Sequence, residues 1–584
     1  LRIADLDTDG NSITTNAGEL NVVVLNGTGN DMSQDQDDSK SSATLNIDSG
    51  IVNTNDANIT MKVAGNNVTD YSDNSQTEGS IFINTGATVQ SDGSGDEAGT
   101  LSIAGNTIID GNVEANSGET ITLAGPSADI IINTAQVAAN NVTLSPGGFD
   151  IIFKNTGSLT VGGTSAVLNI LETDELVLES SGGNVASITV NDTDNTVGGD
   201  EGDINIQGVR SIYMQGGTFM SASGDIVIGS SNPVAGTPDA NVVQDIYMEG
   251  SAEIKAGNDI TINVHNREYT TGMDADLGRA PDDSYIGNSN TSAGMGALAQ
   301  NTDNTALTEV TNGVQFGKLI ANSDTDTTNG GEVTVNVRSD GNNGTITLAG
   351  NINVNDNSSV QGDVTLTSAS AISRSGSASM TAVENLSIEA AGDIGSSTSS
   401  ILTTAENVSL NNTDSGSYIY LQNTSTTDVT LEATTTDGDI DYNQTGSTLT
   451  VGNGGSGTDG ISTGTGAVNL SGNITSMTIS SDINTTSGSI DLQSLGDISI
   501  DAGDLVTTSG IVSVSADQNN GGTGDVTFDA PGSAGDEKIR SGAGDITLSG
   551  ENIVVDDFSI QSTGNLTVTA GKKSGSSTGE IYSN

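Results

Sequence analysis

Three carboxylates near the start of the chain are the first residues whose spacing suggests chemistry. Residues 5–10 read DLDTDG, so Asp5, Asp7 and Asp9 alternate ahead of Gly10. Alternating carboxylates before a glycine match the first half of a calcium loop, in which oxygens converge on a hard cation. The twelfth position counted from Asp5 is Asn16, where a helix-flanked calcium hand needs a bidentate Glu. The expected cofactor is therefore none, or calcium at Asp5, Asp7 and Asp9; the bland reading is an acidic turn. A second candidate begins at His265, the only histidine, and carries Arg267, Tyr269, Arg279 and Tyr285. Cations and rings on one segment suit a recognition loop, with a plain surface loop as the alternative.

Other constellations are missing. Paired carboxylates for glycosidic acid/base work are abundant and so discriminate nothing. There is no Trp, Tyr and Phe look singly scattered, and the 15 Lys and Arg are not clustered. A polysaccharide-active site wants aromatic platforms or basic clusters, and no nucleophile elbow surrounds a serine. The residues therefore favour a non-enzyme, with a β-helical polysaccharide-active enzyme as a minor alternative. An ice-binding face would need regular outward Thr pairs, which are not seen.

Composition narrows the partners. The chain has 584 residues, 75 Asp and Glu against 15 Lys and Arg, and a formal charge of −60. Such a surface cannot displace counterions from phosphates, so nucleic acid is excluded as a partner. It is equally repelled by anionic lipid, and no apolar run approaches the ~20 residues that span a bilayer. With no Cys, the chain must rely on hydrogen bonds and packing. Leu1 stands where Met would begin a translated chain, which reads as a trimmed secretion signal.

The elements that must position any site are read from an internal repeat. An aliphatic–polar–aliphatic five-mer recurs as GDVTL at 362–366, ENLSI at 384–388, ENVSL at 406–410, TDVTL at 427–431 and STLTV at 447–451. It continues as GAVNL at 466–470, GSIDL at 488–492, GIVSV at 510–514, GDITL at 544–548 and GNLTV at 564–568. Starts step by 22, 22, 21, 20, 19, 22, 22, 34 and 20 residues, with GDVTF at 524–528 inside the long step. The N-terminal half repeats the pattern in TLSIAG, TITLAG and NVTLSP at 100, 120 and 141. Further, SIYMQGGTFMSASGDIVI at 211–228 aligns without gaps to DIYMEGSAEIKAGNDITI at 245–262. The excess between these copies carries Pro233 and Pro238, residues that cannot donate to a ladder.

A sandwich has no reason to repeat one motif throughout, whereas stacked coils do: each strand lies on the one below, about 4.8 Å away. The sequence thus predicts an all-β, right-handed parallel β-helix of about 20–22 residues per coil with loop insertions. Val, Ile and Leu should point inward. Thr365, Ser387, Ser409, Thr430, Thr450, Asn469, Asp491, Ser513, Thr547 and Thr567 should point outward. Gly, Asn and Asp should make the corners, through positive φ and side-chain-to-backbone turns. The expected organisation is a solenoid over 1–264, a loop insertion over 265–335 and a regular solenoid over 336–584, forming one rod.

The GDITL/GNLTV-type strand, in a Cys-free chain rich in Gly, Asn, Ser and Thr, resembles filamentous-haemagglutinin-like exoproteins and autotransporter adhesin passengers. The resemblance implies an extracellular, surface-exposed β-helix used for attachment or filament building. The expected function is a structural subunit of a cell-surface fibre, its partner being itself in head-to-tail order. The alternative is an adhesin binding glycans or matrix through its loop insertion.

Overall fold

The computed structural model describes residues 2–3, the strands between 11 and 145, most of 149–266, and most of 313–583. Outside the described residues fall 4–10, 26–43, 65–79, 92–99, 193–201, 231–242, 267–312, 323–329, 340–343, 355–360, 453–458, 530–537, 572–580 and shorter links. Every long strand pairs with its neighbours in parallel, and no helix occurs among the described residues. The protein is a parallel β-solenoid. Two units divide the chain: Leu1–Gly331 with Val337–Asn343, and Glu332–Asn336 with Gly344–Asn584.

In the first unit each coil crosses three faces. One face stacks Ile59–Ala64, Thr100–Ala104, Thr120–Ala124 and Asn141–Ser145, so that Leu123 lies between Ile103 and Leu144. A second stacks Thr44–Ile47, Ser80–Ile83, Asn106–Ile109, Ile130–Ile132 and Phe149–Phe153. A third runs from Asn11–Asn16 through Ala87–Ser91 and Ser158–Gly163 to Glu253–Ala256 and Lys318–Ala321. Two twelve-residue strands, Val167–Leu178 and Asp203–Met214, carry the first face into the second without a break. Gly208, at φ +65°, stands at that corner, a conformation that costs glycine least.

The 34-residue match is a coil. Ile212, Tyr213 and Met214 lie under Ile246, Tyr247 and Met248, Met220 under Ile254, and Ile226 under Ile260. The intervening Pro233 and Pro238 lie outside the described residues.

The second unit obeys the same inward rule. Val364, Leu386, Val408, Val468, Ile490, Val512 and Ile546 are all at most 3% exposed, while the polar residues between them are half-buried or exposed. Such burial is worth about 1.5–3 kcal/mol per aliphatic side chain, and no coil achieves it alone. The ten repeat motifs, however, do not share one face. Gly362–Ser368, Val383–Ala390, Asn407–Asn412 and Val429–Thr435 stack in turn, and Thr448–Val451 follows on residues 429–431. Val468 does not continue that series; it sits over Ile440, 28 residues earlier. From there Val468, Ile490, Val512, Ile546 and Leu566 stack on another face, and Val526 occupies a third over Ile498. The 19-residue step is thus a change of face. Any face needs the same inward aliphatic pair, so the five-mer alone cannot say which face it serves. Near this point Val429–Thr435 splits, its last residues carrying Asp459–Thr463.

Two polar devices close the corners. The first is a column of buried hydroxyls: Thr463, Thr485, Thr507 and Ser541 are register neighbours, with Ser562 next. Thr485 Oγ1 donates to the Gly466 carbonyl of the coil below at 2.9 Å and accepts the Gly488 amide of its own coil at 2.9 Å. Thr507 repeats this with Gly488 and Gly510, and Ser541 donates to the Gly510 carbonyl. The signature is a hydroxyl residue three before a corner glycine. The glycines stack so closely that a methyl on Gly488 would land on the Gly466 carbonyl oxygen. The second device is the Asp that opens many strands. Asp203 accepts the Asp225 amide at 2.8 Å, Asp225 the Asp259 amide, Asp497 the Asp525 amide and Asp545 the Asn565 amide. These carboxylates tie one coil to the next. A parallel ladder gains from them because they pair amides at its margin, and a charged acceptor makes the stronger bond.

Candidate functional site

Of the sequence candidates, Asp5, Asp7 and Asp9 lie outside the described residues, as do Arg267, Tyr269, Arg279 and Tyr285. His265 is described: it is buried near the end of Ile260–Asn266, and its amide donates to the Val243 carbonyl at 2.9 Å. Among the described residues no three His, Cys, Asp or Glu side chains are grouped to hold a metal.

The structure does bring aromatic rings together, where the sequence reading had them scattered. On the outer side of the second face, Tyr213 and Tyr247 are register neighbours whose rings stack at 5.8 Å and 14°. The Tyr213 hydroxyl donates to Glu249 Oε1 at 3.2 Å, and Glu249 Oε2 accepts the Gly216 amide at 2.8 Å. Burial, then the Glu249 charge, pushes the Tyr213 phenol well above its ordinary range. This group is closed on itself: Tyr213 is 7% exposed and Glu249 is already satisfied by two donors. The signal was available in the IYM repeat, which sets tyrosine over tyrosine one coil apart.

A second pair lies in the second unit. Tyr418 and Tyr420 flank the inward Ile419, and their rings approach to 6.0 Å at 32°. Tyr418 is 39% exposed. Carboxylates stand on both sides. Asp441 follows Tyr420 in register one coil later, while Asp393, one coil earlier, accepts the Tyr418 amide at 2.8 Å. Asp439 accepts the Ala467 amide at 2.7 Å. Partial burial pushes the Tyr420 phenol up, reinforced by Asp439, Asp441, Tyr418 and Asp393. Burial likewise raises Asp441, against the lowering hydrogen bond from Asn469 Nδ2 and with a further rise from Asp439. Here the signal was the i, i+2 spacing of the tyrosines in SYIY, which sends both rings outward from a strand.

A third polar group is wholly internal. Asn423 Nδ2 donates to the Ala405 carbonyl at 2.9 Å, to Tyr442 Oη at 3.1 Å and to Gln444 Oε1 at 3.0 Å. Tyr442 Oη donates to Gln444 Oε1 at 2.8 Å. All three are fully buried, and burial pushes the Tyr442 phenol above its usual range. With no opening to solvent at these side chains, the cluster organises the core.

Fold and surface together define a parallel β-solenoid repeat protein with an acidic exterior and one exposed aromatic pair among its described residues. No family model, curated protein or solved structure matches the chain.

Proposed function

We propose that the chain is an extracellular structural protein, a subunit of a cell-surface fibre that lengthens head to tail by laying coil upon coil. The observation that carries this reading is an inward position left uncovered. Leu566 is 52% exposed, whereas its register neighbour Ile546 is fully buried. An open edge is a template for another strand. A coil from a second copy, set about 4.8 Å beyond, would cover it as each internal coil is covered. The charge of −60 opposes collapse of fibres side by side. The likeness of the GDITL-type strand to filamentous-haemagglutinin-like and autotransporter exoproteins supports the same reading, including surface location.

Electron microscopy and sedimentation of the purified chain over a rising concentration series test it. The reading expects filaments in the parent and separate particles for Leu566→Lys, which sets a charge in the open position. A parent that stays monomeric, or a lysine variant that forms the same filaments, overturns it.

A further inference from the structure

The exposed tyrosine pair has a use that fibre building does not require. Four features combine there. The Tyr418 and Tyr420 rings sit on the outer side of the stack, one of them 39% exposed. Asp439 and Asp441 lie one coil to one side and Asp393 one coil to the other, so carboxylates bracket the rings. The position one coil before Tyr420 is occupied by Gly395, which brings no side chain of its own to the platform. Finally, these carboxylates belong to no metal-holding group among the described residues.

We propose that Tyr418 and Tyr420, with Asp393, Asp439 and Asp441, form a docking platform for an arginine or lysine side chain of a basic polypeptide. A flat cation over an aromatic face is attracted by the ring's quadrupole, and flanking carboxylates strengthen that attraction. A planar guanidinium meets both demands, because it stacks and forks its donors toward carboxylates. The overall charge raises the local concentration of any basic partner, and the rings supply the local preference that charge alone lacks. The Tyr213–Tyr247 stack cannot serve in this way, because both oxygens of its Glu249 carboxylate are engaged and Tyr213 is buried.

The test uses the full chain and saturation-transfer NMR at about 0.15 M salt, where long-range attraction is largely screened. The probe is N-acetyl-arginine N-methylamide, with the citrulline analogue as its uncharged twin. The platform predicts saturation of the arginine methylenes and weaker binding of citrulline. Tyr418→Ala/Tyr420→Ala should lower the apparent affinity about five- to tenfold, as expected for loss of cation–π contacts. Tyr418→Phe/Tyr420→Phe, which keeps the rings, should bind as the parent does and guards against a folding artefact. Glu384→Gln/Glu389→Gln removes two exposed charges elsewhere and should leave binding unchanged. Equal binding by the alanine pair, an equal loss in the Glu384/Glu389 variant, or equal binding of citrulline would each overturn the proposal. So would a neutral oligosaccharide that occupies the rings while arginine does not.

Discussion

Replacing Thr485 by Val separates hydrogen bonding from hydrophobic burial at the corner column. The two side chains are nearly the same shape, and Thr485 is 5% exposed. If inward positions were judged by apolar surface alone, Val would be neutral or better. The structure gives the opposite sign. The hydroxyl pairs two buried backbone groups, the Gly466 carbonyl and the Gly488 amide, each at 2.9 Å. Each buried group left unpaired costs about 1–3 kcal/mol. With two such groups, each near the low end of that range, a net loss of about 2–3 kcal/mol is expected. Coils are stabilised mainly by their immediate neighbours, so the loss should be local and not a uniform drop across the chain. Hydrogen exchange read by mass spectrometry is the suitable assay. The segment from Thr463 to Gly510 should exchange about 30- to 150-fold faster, at 1.4 kcal/mol per tenfold. The first unit should be unchanged. Thr485→Ser keeps the hydroxyl and loses one methyl, about 0.8 kcal/mol. If Val protects as well as the parent, or Ser is worse than Val, the corner reasoning is wrong.

Other outcomes follow from the same geometry. Gly488→Ala should destabilise its coil by about 1–3 kcal/mol through the clash with the Gly466 carbonyl, seen as local loss of exchange protection. Asp441 has a folded-state pKa raised by burial, so its ionisation opposes folding as pH rises through that raised value. Asp441→Asn should therefore raise the melting temperature at neutral pH, with a gain that shrinks as pH falls through the carboxylate range; a gain that grows on acidification would refute this. Calcium should raise the melting temperature if Asp5, Asp7 and Asp9 bind it, and Asp5→Ala/Asp7→Ala/Asp9→Ala should abolish that gain.

Much of the fold was legible because solenoid packing repeats one local demand. Val, Ile and Leu at period two set the inward positions, and the gapless match of 211–228 with 245–262 gave the register of a whole coil. What escaped was which face each motif serves. GAVNL at 466–470 satisfies the pattern of STLTV at 447–451 yet lies on a different face, because inward and outward alternation carries no label for a side of the coil. The hydroxyl column escaped for a similar reason. Thr485 and Thr507 look like turn residues in sequence, and only stacking shows that their partners are glycines one coil away. The tyrosine pairs escaped because rings far apart or merely alternating in sequence meet only once strand register or strand direction is fixed.

Engineered cross-links test the central claim most directly, since the chain contains no Cys to interfere. Ser387 and Ser409 are register neighbours on adjacent coils, as are Glu389 and Asn411. Parallel strands in register set both pairs about 4.8 Å apart, within disulfide reach, but leave the crossed pair Ser387 and Asn411 about 8 Å apart and out of reach. Ser387→Cys/Ser409→Cys and Glu389→Cys/Asn411→Cys should both oxidise to intramolecular disulfides, and Ser387→Cys/Asn411→Cys should not. Linking of the crossed pair, or of only one of the two straight pairs, would contradict the parallel stack.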